Sequence, residues 1–125
     1  MRYLCLIHLD ENEMAAIPHP EMSALNAEHL DLNDELRRTG NVIVAEALEP
    51  ARTTAQVRMR HGKRTVVDGP YTESKEMIAG FYLIEANDMN EAIDIASRLP
   101  SARLGTVEVR PARQLVVDGR PLRWG

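Results

Sequence analysis

Cysteine, phenylalanine and tryptophan each occur once in the 125 residues, and aromatic side chains make up 4% of the chain. A lone thiol excludes an intramolecular disulfide framework. Cys5, inside the apolar run YLCLIH, reads as a buried and inert thiol. With 19 Asp plus Glu against 15 Lys plus Arg and a net charge of -4, the chain offers neither a stacking platform nor a basic face that tracks phosphates. Direct binding to nucleic acid is therefore not expected. No apolar run approaches the roughly 20 residues of a membrane span, and no basic segment precedes an apolar one at the N-terminus, so a soluble, cytoplasmic protein is expected. The four histidines and the cysteine show no H-x-x-x-H, H-x-H or C-x-x-C spacing, and G-x-S-x-G is missing. Zinc, other cofactors and serine or thiol hydrolase machinery are accordingly not expected.

What is present fits one domain over residues 1–125, a length that buries a sizeable core. RYLCLIHLD is apolar at alternate positions of both parities and predicts a central strand buried on both faces. Pro20 suits the first turn of a helix that runs to about Thr39, with Gly40 as its stop. Met22, Leu25, His29, Leu32 and Leu36, spaced 3, 4, 3 and 4, form its apolar stripe. NVIVAEALE reads as a second strand. TAQVRMRHGKRTVVDG reads as a hairpin turned at His61, Gly62 and Lys63, with one exposed face. MIAGFYLIEA, with Ile78, Tyr82 and Ile84 on one side and Ala79, Phe81 and Leu83 on the other, predicts a partner for the first strand. Asp88 caps a second helix with Glu91 three residues on, Met89, Ala92, Ile93, Ala96 and Leu99 form its core face, and Pro100 ends it. GTVEVRP supplies another strand, and RQLVVDGRPLRWG a last strand and tail. VVDG occurs at 66–69 and 116–119, but the flanks differ and strand followed by Asp-Gly is ordinary turn chemistry.

This order predicts an α+β, ferredoxin-like split βαβ sandwich with a hairpin insertion. Two helices cover one sheet face, whereas the strands at 3–7 and 78–84 are apolar on both. A bare apolar face of that size is covered either by a second copy, giving a homodimer, or by the C-terminal tail.

VVDGPYTESKE resembles the signature of YCII-related proteins of the DGPF subgroup. Asp68, Gly69, Pro70, Glu73, Lys75 and Glu76 match, and Tyr71 stands where the subgroup has Phe. ELRRTG, GFYLIEANDMNEAIDIASRLP and GTVEVRP extend the resemblance over most of the chain. It implies a dimeric α/β barrel of ferredoxin-like units, a His and Asp active-site pair that maps onto His29 and Asp10, and for many members an association with sigma factors. His29 inside an apolar stripe must find a partner or lose its charge, and a carboxylate at Asp10 would orient the ring for proton transfer. A hydrogen-bonded structural histidine is the alternative. His8, His19 and His61 read as structural or solvated. The resemblance also raises haem ligation by His29, which nothing local favours. Around Asp68 the loop is ordinary turn chemistry or, with Tyr71, Glu73 and Lys75, the rim of a pocket in which Lys75 holds an anion. The functional expectations are thus a cofactor-free isomerase or lyase acting on a small molecule, a ligand- or partner-binding regulatory module, or a structural dimer.

Overall fold

The computed structural model describes residues 1–122. Strand β1 (Arg2–Leu9) leads through a short helix α1 (Glu11–Ala15) and the long helix α2 (His19–Arg38) to β2 (Val42–Ala47). A 3-10 turn at Ala51–Thr53 precedes a hairpin of β3 (Ala55–Arg60) and β4 (Lys63–Asp68). Then follow β5 (Met77–Glu85), α3 (Met89–Ser97), a 3-10 turn at Pro100–Arg103, β6 (Thr106–Pro111), β7 (Leu115–Val117) and β8 (Arg120–Leu122). Among the described residues no helix is long and apolar enough to cross a membrane.

The main sheet is antiparallel in the order β2-β5-β1-β6, with β1 and β5 central. This is the ferredoxin-like arrangement that the order of elements predicts. The expected barrel is corrected: the sheet is open at β2 and β6, and the hairpins β3-β4 and β7-β8 are separate two-stranded sheets. Even small filled barrels need about eight strands to come round on themselves, and four cannot.

Tyr3, Cys5, Ile7 and Leu9 lie buried on the helix-covered face, against Leu32 and Leu36 of α2 and Ala92, Ile95 and Ala96 of α3. Leu4, Leu6 and His8 on the other face are only half-buried, so β1 is fully buried on one face and not on both. Register shifts between Ile7, opposite Gly80, and His8, opposite Ile78. Ala79 is the extra residue, and this bulge takes Ile78 off the face of Tyr82 and Ile84 where simple alternation places it. Gly80 sits so close to β2 that an added Cβ would lie 2.9 Å from the Glu46 carbonyl oxygen.

Helix α2 has Pro20 in its first turn and stops as predicted, with Gly40 at φ 78 and Asn41 N–H donating to the Leu36 carbonyl at 2.8 Å. Leu25, Leu32 and Leu36 are buried on the expected stripe. Asp88 caps α3 through the Glu91 N–H at 2.9 Å. The core face of α3 uses Ile95 where Ile93 is expected, because positions 92, 95, 96 and 99 keep the helical repeat and leave Ile93 exposed.

His61 and Gly62, at φ 51 and 75, join β3 to β4 by the two-residue turn that matches strand twist, and Lys63 already belongs to β4. Among the described residues no third layer covers this hairpin: Val57, Met59 and Val66 are 63%, 56% and 51% exposed, so neither of its faces is buried by them. The stretch read as one terminal strand with a tail is a hairpin turned at Asp118 and Gly119, and residues 123–125 of that tail lie outside the described residues. The two VVDG segments thus play different parts, one leaving a hairpin and the other turning one.

Candidate functional site

Between the N-terminal half of α2 and the β2-β5 side of the sheet lies a cavity of about 720 Å³, a size that suits a small organic molecule. Its walls are mainly apolar, with Leu9, Met14, Met22, Leu25, Leu48 and Ile78 among them. The stripe on α2 divides its work here. Leu32 and Leu36 fill the core, while Met22, Leu25 and His29 line the cavity.

Both ring nitrogens of His29 are occupied. Nδ1 lies 3.2 Å from the Tyr82 hydroxyl and Nε2 lies 2.7 Å from Ser101 Oγ. The parity of β5 brings Tyr82 to the helix-covered face beside Ile84. Ser101, 4% exposed, belongs to the 3-10 turn after α3, and its carbonyl accepts the N–H groups of Leu104 and Gly105, both at 3.0 Å. Gly105 must be glycine for the chain to return here into β6, since a Cβ would sit 2.1 Å from the His8 carbonyl oxygen. Tyr82, Ser101 and the cavity thus hold one imidazole between two hydroxyl groups.

Burial pushes the His29 pKa below its ordinary value; Glu28 opposes this and Arg103 adds to it. Arg103 is paired with Glu28 at 2.7 Å. The ring is therefore the neutral, proton-accepting form at neutral pH. Burial raises the Tyr82 phenol, which keeps its hydrogen. The geometry accommodates a tautomer in which Nδ1–H donates to Tyr82, whose own hydrogen is directed at the His29 carbonyl 3.5 Å away, and Ser101 O–H donates to Nε2; it equally accommodates the reverse, with Tyr82 O–H donating to Nδ1 and Nε2–H to Ser101. In the first tautomer Nε2 is a base with a hydroxyl already on it. One helical turn along, Asn33 also lines the cavity, and its buried Oδ1 has no hydrogen-bond partner among the described residues. An orphaned acceptor in a cavity wall suits a donor on a ligand.

Asp10 and His29 have different hydrogen-bond partners. The Asp10 carboxylate accepts the N–H groups of Asn12 at 2.9 Å and Glu13 at 3.2 Å, capping α1, and no hydrogen bond joins it to the His29 ring. A five-residue helix needs its first N–H groups satisfied, and Asp10, 8% exposed, meets that need first. Glu11, the first residue of α1, lines the cavity and accepts the Ala51 N–H with both carboxylate oxygens, at 3.1 and 3.3 Å.

Asp68, Tyr71, Glu73 and Lys75 do not line the His29 cavity. Asp68 ends β4 opposite Ala55, Glu73 and Lys75 are exposed, and Tyr71 borders a second hollow on the helix-free side. No group of three or more His, Cys, Asp or Glu among the described residues is placed to hold a metal ion. Cys5 is fully buried and its thiol pKa is pushed up to about 11, which keeps it protonated.

Tyr82, Ser101 and Asn33 are the residues that sequence reasoning missed. Ser101 and Tyr82 lie 72 and 53 positions from His29, and only the strand register and the turn after α3 bring them there. The shared parity of Tyr82 with Ile84 was the one available signal.

The family model of the YCII-related domain matches residues 1–116. The chain belongs to the YCII-related domain family. An uncharacterized protein of Rhizobium meliloti (strain 1021) is 32% identical over 113 residues, which cover 89% of this chain and 91% of that protein. The YCII-related match spans every residue of the His29 site and ends within β7.

Proposed function

We propose that this YCII-related protein is a cofactor-free enzyme that moves a proton on a small, largely apolar molecule, as an isomerase or lyase does, with His29 as the acid and base. The observation that carries this reading is a neutral, half-buried imidazole in the wall of a 720 Å³ cavity, held at both nitrogens by hydroxyl groups. The substrate's acidic hydrogen passes to Ser101 Oγ as the serine's own hydrogen passes to His29 Nε2. The electron pair stays on the substrate as an enolate-like anion. Return of the proton to a neighbouring atom completes an isomerisation, and loss of a leaving group completes an elimination. Tyr82 holds the ring through Nδ1, Asn33 accepts a hydrogen bond from the substrate, and Asp10 acts as a positioning residue by fixing α1 and hence Glu11.

Two finer readings accompany this one. The matches at Asp68, Gly69, Pro70, Glu73, Lys75 and Glu76 support placement in the DGPF subgroup. Half-buried Leu4, Leu6, Phe81 and Leu83 on the helix-free sheet face, with the uncovered β3-β4 hairpin, support a homodimer.

The test is deuterium incorporation from D2O into a panel of small ketones and 2-oxo acids, read by mass spectrometry. The native protein should label at least one of them, and His29→Asn and Ser101→Ala should each lose most of that exchange. Retention of a panel member in the cavity with no exchange under any condition would instead make the protein a binding module.

A further inference from the structure

On the helix-free side, between the loop after β4 and the start of β5, lies a second hollow of about 630 Å³. The Asp68–Glu76 segment that carries the family resemblance forms part of its wall, through Pro70, Tyr71, Ser74 and Glu76. This wall is preformed. Gly69 N–H donates to the Thr54 carbonyl at 2.7 Å, Gln56 Nε2 donates to the Gly69 and Pro70 carbonyls, both at 3.0 Å, and Ser74 Oγ donates to the Glu76 carbonyl at 2.5 Å.

The chemistry of the hollow has one sign. Glu49 and Glu76 line it, and among the described residues no lysine or arginine does. Glu76 Oε1 accepts the Thr106 hydroxyl at 2.9 Å, and Oε2 has no partner among the described residues. His8 on the floor is bonded through Nε2 to Glu108 at 3.0 Å, so in its neutral form Nδ1 is a further acceptor. Tyr71 borders the hollow and is 81% exposed, an aromatic ring left in water. Met77 and Ile78 supply an apolar wall. Acceptors, a ring face and an apolar wall without cations suit an organic cation better than an anion or a bare metal ion.

We propose that this hollow is a binding site for a small amine in its ammonium form, with Glu76 and Glu49 holding the cation, Tyr71 laid against it, and Met77 and Ile78 contacting its apolar body. The site is separate from the His29 cavity and stands whether or not that cavity is catalytic.

Methionine methyl groups make the two cavities distinguishable, because Met77 borders this hollow and Met14 and Met22 border the other. The full chain, labelled with 13C at the methionine methyls, is titrated near pH 7 with benzylamine, benzyl alcohol and benzoate. Benzylamine should shift the Met77 signal saturably and leave Met14 and Met22 in place, with the alcohol and the acid at least about tenfold weaker. Glu76→Gln and Glu49→Gln should each weaken the amine by about tenfold, and Tyr71→Ala, which removes an exposed ring, by roughly threefold. The ligand series on native protein decides the question even if a variant misfolds. No saturable Met77 shift, equal shifts by alcohol and amine, or a shift confined to Met14 and Met22 would each overturn the proposal.

Discussion

At His29 the opposing influences can be named and ranked. Burial lowers the ring's affinity for a proton, Glu28 raises it, and burial prevails. Between the folded-state pKa and the ordinary value near 6.5, the unfolded chain therefore binds more protons than the folded one. Stability is intact above about pH 6.5 and falls as pH drops through that window, until the folded ring is also charged. Urea unfolding at a series of pH values should show this decline in the native protein and a flatter profile in His29→Gln. A native ring that titrates above 6.5 by NMR would contradict the assignment. The stripe containing His29 was legible in the sequence because a spacing of 3 and 4 needs only the helix. Its hydroxyl partners were not, since the bond to Ser101 depends on the loop that follows α3 and on a glycine at 105.

At the scale of elements, α1 shows what Asp10 does for the fold: it caps a helix of five residues. Asp10 directly follows β1, where the family's acidic residue is expected, and its carboxylate faces two backbone N–H groups. Asp10→Ala should cost about 1 kcal/mol in chemical denaturation, whereas Asp10→Asn should be close to neutral, because asparagine caps as well as aspartate. The His29 titration midpoint should not move in Asp10→Asn, and a downward shift would reinstate a coupled pair. Helix α1 escaped notice in the sequence because five residues carry too little periodicity to read. The long elements were legible, their order was sufficient for the ferredoxin-like topology, and the bulge at Ala79 escaped because alternation assumes an unbroken ladder.

For the whole molecule, the uncovered surfaces are apolar. Leu4, Leu6, Phe81 and Leu83 need a cover, and a lone two-stranded hairpin such as β3-β4 is marginal in water. Sedimentation velocity should show a dimer at micromolar concentration, and Leu6→Asp, at a half-exposed position, should yield folded monomers. A native monomer would leave the C-terminal hairpin as the cover. The apolar excess of that face was legible from two strands with no polar parity. The closed barrel inferred from resemblance was not, because closure depends on how edge strands meet and no residue pattern records it.

Leu48, Glu49 and Ile78 border both the His29 cavity and the acidic hollow. A party wall of three residues makes the two spaces thermodynamic neighbours. Any occupant that displaces Leu48 or Ile78 on one side resizes the room on the other, and whatever factor an amine imposes on the affinity for the His29 ligand, that ligand imposes in return.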